Sequence, residues 1–482
     1  MSIPTTEELV KEWLRLDKEE QTRREIEQLW EQQNISELES RLRKRISFGT
    51  ADKFDRPRRG ARLRGRMEAG FARMNSLIII QASQGLAAYV AKTVPDAKSK
   101  GVVIGHDHRH NSEHWANLIA AVFVHFGFEV YLLEGLVHTP LVPFSVSRLK
   151  ASCGVMVTAS HNPKEDNGYK VYWENAVQII DPHDRGIAQA ISENLDSQIW
   201  DPKGFRNSQL LHNRTNELRD AYFSYLQGLS VSKSLNSSTP IKFVSTPMHG
   251  VGYVYSAKAF EVFGFPPFTV VEAQRDPDPE FPTVAFPNPE EKEAIGFMIG
   301  SEIRDKDGVS ATAFFAELAA DLHRQNKKVS EYLNELYSKY GYFQTSNSYY
   351  ICRSPPTIDR IFARLMNFHA EGKEHNYPRE IGGLHVVWIR DLTTGYDSGN
   401  PPTYTPSLPL SSGHMIQFKA ESSSGSEAVT LTLRTSGTEP KIKYYLEGSG
   451  RDPNTVKETL AKVVEELTMV WVQAKQNDLI LP

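Results

Sequence analysis

The chain has 482 residues, of which 40% are hydrophobic and 24% charged, and its formal net charge is -4. That length and balance suit about three domains with buried cores, and the charge excludes a general affinity for polyanions such as nucleic acid. Two cysteines, Cys153 and Cys352, exclude a disulfide framework and point to a reducing, cytoplasmic setting; no apolar run approaches membrane-spanning length, and the acidic, polar N-terminus is unlike a signal peptide.

In chain order, Leu9, Trp13 and Leu16 share one helical face, as do Ile26, Leu29 and Trp30, and a further helix is expected over Leu38–Arg45. The arginine-rich stretch Asp52–Arg66 contains Pro57 and Gly60 and reads as loop. A helix near Leu77–Val90, a strand at Val102–Gly105, a helix near Glu113–Phe126 and a strand at Glu129–Leu133 follow, and the alternation runs on into Gly154–Thr158. This is the pattern of a wound α/β domain, whose ligands sit at the carboxyl ends of its strands. A second α/β unit opens at Ile241–Ser245, with a helix near Tyr255–Phe263 and a strand near Thr269–Val271. It then breaks off into the Pro- and acid-rich stretch Arg275–Glu293. One strand–helix–strand cannot cover both faces of its own sheet, so this unit is too short to be a whole domain. Helices over Val309–His323 and Ser330–Tyr340 lead into a separate α+β domain. Its strands are expected at Tyr349–Cys352, His385–Ile389, Met415–Lys419, Ala428–Leu433 and Lys441–Leu446, and its helices near Asp359–Ala370 and Thr455–Lys475.

Thr158-Ala159-Ser160-His161-Asn162-Pro163 follows the apolar run Gly154–Val157, so Ser160 is presented at a strand's carboxyl end. Lys164 and Lys170 are close by, and backbone N–H groups at a strand-to-helix junction would favour a phosphoserine. A serine hydrolase fits less well, because the Gly-x-Ser-x-Gly elbow is absent; the bland alternative is a capping loop. Arg434-Thr435-Ser436-Gly437-Thr438-Glu439-Pro440-Lys441 joins a guanidinium fork to hydroxyls and open N–H groups, which suits a phosphate or, equally, a tight turn between strands. His106, His108, His110 and His114 read as a polar loop rather than a zinc site, since no closing ligand set accompanies them. Asp276, Asp278 and Glu280 could line one side of an extended segment as a hard cation prefers, but read first as a solvated acidic loop. The arginines from Arg56 to Arg66 lack an aromatic platform and read as a surface loop ending beside a phosphosugar.

Taken together, the chain resembles the α-D-phosphohexomutase superfamily, in the branch of phosphoglucomutase 2, phosphopentomutase and glucose-1,6-bisphosphate synthase. The resemblance rests on Phe48–Ala51, Leu63-Arg64-Gly65, Gly105–Ser112, His138-Thr139-Pro140, Thr158–Pro163, Asn167–Lys170, Ser245–Gly250, Glu293–Gly296, Arg304–Gly308 and Arg434–Lys441. It implies a phosphosugar mutase in which Ser160 carries the phosphoryl group, with His161, Lys170 and Arg64 as its catalytic neighbours. It further implies that Glu293 and Lys306 lie where the sugar is read, and that Arg434, Ser436, Gly437, Thr438 and Lys441 grip the remote phosphate. The expected substrates are glucose or ribose and deoxyribose phosphates. Mg2+ is expected on the phosphoserine, a sugar bisphosphate as activator, and the chain as a monomer that binds neither nucleic acid nor membrane.

The chain departs from that family in two places. The family's Asp-x-Asp-x-Asp-Arg metal loop does not occur, and the sequence passes from Asn288–Lys292 straight to Glu293–Gly296, so a long internal block is missing. Between Ala51 and Leu63 there are about ten extra residues against the motif, and Arg62 stands where the family has glycine. The resemblance therefore implies an N-terminal α/β domain (1–240), a truncated second domain (241–292), a remnant of the third (293–345) and a C-terminal α+β domain (346–482). Without the aspartates a metal would keep only the phosphoserine and water, which implies impaired activity; the rival reading is a non-catalytic phosphosugar binder or a defective isoform.

Overall fold

The computed structural model describes residues 3–46, 62–284, 296–368, 375–408, 410–411, 413–435 and 441–481. These fall into two compact units that divide after Asn326.

The first unit opens with three helices, α1 (Thr6–Leu16), α2 (Glu20–Glu31) and α3 (Ile35–Leu42). Trp13, Leu16, Ile26, Leu38 and Leu42 bury together against Phe71 and Leu77. Thr5 and Glu8 form a reciprocal capping box at the start of α1. The strands β1 (Arg62–Arg66), β2 (Val102–His106), β3 (Val130–Leu132), β4 (Cys153–Val157), β5 (Asp166–Trp173) and β6 (Leu211–His212) make a six-stranded sheet in the order β1-β5-β4-β2-β3-β6. The inner strands β2 and β4 are parallel neighbours and buried along their whole length, as continuous apolar runs between two helical layers must be. Those layers are supplied by α4 (Ser76–Thr93), α5 (Ala97–Lys100), α6 (Ser112–His125), α7 (Leu141–Leu149), α8 (His183–Ser192) and α9 (Thr215–Leu229). Helix α7 lies so close to the sheet that a Cβ on Gly154 would come within 2.6 Å of Val146.

The expected loop over Asp52–Arg66 is corrected at its described end, because Arg62–Arg66 is a strand. It pairs antiparallel with β5 at the sheet edge, with Leu63 buried while the flanking arginines are not. A single inward apolar residue suffices where only one face and one edge need covering. The remaining residues of that run up to Ala61, with Phe48–Ala51, lie outside the described residues.

After α10 (Lys233–Ser238), the second α/β unit reduces to β7 (Val244–Ser245) and β8 (Thr269–Val270), a parallel pair joined by α11 (Gly252–Phe263). The strand expected from Ile241 is thus shorter than its apolar pattern, and α12 (Gly308–Arg324) packs alongside α11. Tyr222 and Leu226 of α9, Phe260 and Phe263 of α11, and Ala313 and Ala316 of α12 share one apolar cluster with Val103 and Met156 of the main sheet.

The second unit is α+β. After α13 (Val329–Tyr340), strands β9 (Tyr342–Thr345), β10 (Ser348–Ile351), β11 (Glu380–Ile381), β12 (Leu384–Asp391), β13 (Tyr396–Asp397), β14 (Met415–Glu421), β15 (Glu427–Thr435) and β16 (Lys441–Gly450) form one antiparallel sheet. Its alternating inward residues, including Phe418, Leu431 and Leu446, pack against α14 (Pro355–Met366) and α15 (Pro453–Glu466). The helix expected over Thr455–Lys475 stops at Glu466 and passes into a π-helical turn, Leu467–Trp471. That turn brings Leu467 and Trp471 into the apolar cluster.

Candidate active site

Because β2 and β4 are parallel neighbours, the loops that leave their carboxyl ends lie side by side, and this juxtaposition builds the site. Ser160 stands three residues beyond β4, exposed, with φ 56°. A serine in the left-handed region costs on the order of 1 kcal/mol, and the surrounding loop must hold it there. Its own N–H donates to Thr158 Oγ1 at 2.9 Å. The larger restraint is Arg109, three residues beyond β2 and buried. Its guanidinium donates to the backbone carbonyls of Ser160 (2.8 Å), Asn162 (2.6 Å), Pro163 (2.8 Å) and Asp166 (3.1 Å). Asp107 fixes that arginine in turn, accepting from its backbone N–H at 3.0 Å and from Ser112 Oγ at 2.7 Å.

The serine loop does not run into a helix. It turns back into β5, antiparallel to β4, so the expectation of a strand-to-helix junction is corrected: an anion at Ser160 would be met by side chains. Arg64 Nη1 donates to Asn162 Oδ1 at 2.8 Å, and Ser160 Oγ lies 3.4 Å from His161 Nδ1. Burial, with the charges of Arg64, Arg62, Lys306 and Arg109, holds the His161 imidazole below its ordinary range.

A cavity of about 640 Å³ opens in front of the serine, and Arg62, Ser160, His161, Lys170 and Lys306 all line it. Lys170 is the cross-strand partner of Arg62 on β1. Its Nζ donates to Asp305 Oδ2 at 2.6 Å, and the same oxygen accepts from Tyr172 OH at 2.5 Å. Burial works to raise the Asp305 carboxyl, but the Lys170 charge and these hydrogen bonds outweigh it and hold the group below the usual carboxylate range. Burial pulls Lys170 down. Asp307 caps α12 through Oδ1, 2.9 Å from Val309 N, and accepts from Tyr222 OH through Oδ2 at 2.6 Å. His138, also on the cavity wall, is buried between the rings of Tyr222 and Tyr255 with neither ring nitrogen hydrogen-bonded among the described residues.

The first unit thus gathers Ser160, His161, Lys170 and Lys306 around one cavity, with Arg64 on the adjoining strand β1. Arg434 and Lys441 belong to the second unit, at the ends of paired β15 and β16, where Arg434 donates to Tyr445 OH at 2.8 Å and Lys441 lies 3.7 Å from the Tyr349 ring centroid. Ser436, Gly437, Thr438 and Glu293 lie outside the described residues. Sequence reasoning missed Arg109 and Asp305 as site residues. Both sit inside motifs that carry the family resemblance, but their partners are more than fifty positions away, so spacing carries no trace of them. Glu280 of the acidic loop is committed elsewhere, to Lys164 and His110 at 2.6 Å each.

A phosphoserine-type loop at the carboxyl edge of a wound α/β sheet, facing a cationic cavity, defines the sugar-phosphate mutase class. Residues 58–198 match the model of phosphoglucomutase/phosphomannomutase α/β/α domain I and residues 220–316 that of domain II, and the chain belongs to this family. It is 35% identical to the phosphopentomutase of Homo sapiens over 95% of this chain and 93% of that one. It is 34% identical to a probable phosphoribomutase of Schizosaccharomyces pombe over 99% and 100%, and 33% identical to the glucose 1,6-bisphosphate synthase of Homo sapiens over 99% and 96%. A putative phosphomannomutase from Thermus thermophilus shares the fold, with a TM-score of 0.54 and 16% identity over 88% of this chain and 99% of that one. The match to the human phosphopentomutase runs over 589 positions against the 482 residues here. More than a hundred of those positions therefore have no counterpart in this chain.

The family is generally Mg2+-dependent, and the donors in this cavity do not fit that ion. Mg2+ asks for an octahedron of oxygens. Among the described residues the carboxylates on the cavity wall are Asp305 and Asp307, and both are engaged by hydrogen bonds. Among the described residues no group of three or more His, Cys, Asp and Glu side chains could hold a metal ion. No helix among them is long and apolar enough to cross a membrane.

Proposed function

We propose that this chain is a phosphotransferase acting on sugar monophosphates, with Ser160 as phosphoryl carrier, and that its turnover falls below that of relatives carrying the aspartate loop. The observation that carries the reading is the exposed, left-handed Ser160, pinned by Arg109 at the mouth of a cavity lined by Arg62, Lys170 and Lys306. In transfer, the bond between phosphorus and Ser160 Oγ breaks as a bond to a sugar hydroxyl oxygen forms. The hydroxyl proton passes to His161, whose imidazole burial and cationic neighbours hold below its ordinary range, and His161, 3.4 Å from Ser160 Oγ, delivers a proton to the serine oxygen as it leaves. Arg62, Lys170 and Lys306 offset the charge gathering on the phosphoryl oxygens, which is most of what such a transfer asks of a protein. In the second unit, Arg434 and Lys441 flank a hairpin loop suited to a second phosphate. Residues 241–292 and 293–345 are read as what remains of the second and third domains. The protein is read as cytoplasmic and monomeric, with a sugar bisphosphate as activator, and hexose and pentose phosphates both stand as substrates.

The test is incubation of the full chain with radiolabelled glucose 1,6-bisphosphate, followed by peptide mapping and a coupled assay with glucose 1-phosphate and ribose 1-phosphate. Label on Ser160 that disappears in Ser160→Ala supports the carrier. Absence of label with intact sugar binding would establish the non-catalytic alternative instead.

A further inference from the structure

The cavity before Ser160 has the cationic side chains of Arg62, Lys170 and Lys306 on its wall. Arg62 and Lys170 are directly opposed on β1 and β5, which places their Cβ atoms about 5 Å apart on one face of the sheet. Lys306 lines the same cavity from the turn before α12. Of the carboxylates described on this wall, Asp305 is paired with Lys170 itself, so Arg62 and Lys306 are the charges an incoming anion meets. Asp305 accepts from Lys170 and Tyr172, from Gln178 at 3.1 Å on each of its oxygens, and from the Lys306 backbone N–H at 2.8 Å. Asp307 is completely buried as the cap of α12 and the acceptor of Tyr222. Freeing either for a metal would strip a buried lysine or a helix terminus of its partner. Among the described residues the wall thus offers cations to an anion and no uncommitted carboxylate to a cation.

Arg62 stands where the resembled family has glycine. A glycine on β1 would leave Lys170 without a charged partner across the strand pair; a guanidinium there presents a planar fork that matches two phosphate oxygens. Burial and the nearby Arg64 bring Arg62 down to about 10, so it remains protonated at neutral pH.

We propose that the Ser160 cavity binds the phosphate group of a sugar monophosphate without a divalent cation, and that Arg62 is the specificity-determining residue that takes over this share of charge neutralisation. The proposal rests on the reading of Ser160 as a phosphate site and deepens it. Isothermal titration of the full, EDTA-treated chain with glucose 1-phosphate tests it, beside the same titration in Mg2+. Affinities equal to within about twofold in the two conditions, and an affinity about tenfold weaker in Arg62→Gly, are the expected results. Arg62→Lys keeps the charge without the fork and should recover part of the loss, which separates a lost contact from a misfolded edge strand.

Binding that vanishes in EDTA and returns with Mg2+ overturns the proposal, as does an Arg62→Gly chain that binds like the parent. Labelling of Ser160 from the bisphosphate in Mg2+ but not in EDTA also overturns it while leaving the phosphotransferase reading intact. Labelling and binding absent in both conditions would remove the parent reading as well.

Discussion

Replacing Arg109 with methionine keeps most of the side chain's volume and removes every hydrogen bond it makes. Four carbonyls of the serine loop then lose their common donor. A hydrogen bond to a charged group contributes about 1.5–3 kcal/mol, but these four share one guanidinium, and the loop is exposed at Ser160, where water recovers part of the loss. Asp107 also loses its ion pair, at 3.6 Å from Arg109 Nε. A net cost of about 3 kcal/mol follows. For a unit of this size each kcal/mol lowers the melting temperature by roughly 2–4 °C, so calorimetry should show a fall of roughly 6–12 °C. The functional loss should exceed the thermal one, because nothing else among these contacts holds Ser160 at positive φ beyond the Thr158 hydroxyl. A displacement of about 1 Å costs about a hundredfold in rate, so labelling of Ser160 should slow by that order, with Arg109→Lys intermediate. A variant that melts within about 2 °C of the parent and labels at the parental rate would refute the clamp.

His138 provides a pH test. Burial, with Arg219 adding and Asp307 opposing, holds its imidazole down to about 4. A folded value below the unfolded one of about 6.5 means stability is present above that pH and lost as pH falls toward 4, by about 3 kcal/mol in all. Urea midpoints at pH 7 and pH 5 should therefore converge in His138→Phe and differ in the parent. Gly168→Ala places a Cβ 2.7 Å from the Leu63 carbonyl and 2.8 Å from that of Thr158, which should push β1 from β5 at a cost of about 1–3 kcal/mol, read by urea unfolding; an unchanged midpoint would show that the two strands are not packed this tightly. An apolar groove of about 690 Å³ lies between β7 and α12 with Val244 and Phe315 exposed beside it. Phe315→Lys should reduce binding of an apolar fluorescent dye and slow aggregation while leaving Ser160 labelling unchanged, and equal dye binding would locate the sticky surface elsewhere.

The sequence made the wound sheet legible because β2 and β4 are uninterrupted apolar runs, and it made the serine loop legible because that loop ends one of them. Arg62–Arg66 was hidden, since three arginines and a glycine around one leucine carry no strand signal; β1 exists because β5 offers it a pairing edge. The break at Glu466 was hidden for a related reason. The apolar spacing through Val470 and Val472 continues a helical pattern, and only packing against the sheet decides where the turn widens. Arg109 stands among histidines in the sequence, and its role follows only from the parallel adjacency of two strands some fifty residues apart.

The same adjacency argument explains why a chain shortened in its middle keeps a cavity at Ser160. Residues on the far side of the missing block, Asp305 to Val309, are not anchored by the block itself. They are held by Lys170, Tyr172 and Gln178 at the sheet edge and by Tyr222 of α9, all of which precede it in the chain. Helix α12 then packs against α11 within the apolar cluster that also contains Val103 and Met156. The phosphate end of the site is thus built on contacts with residues that precede position 285 in the chain. The cationic pocket keeps its supports among residues earlier in the chain, and on the metal-free proposal its charge balance rests on Arg62 and Lys306.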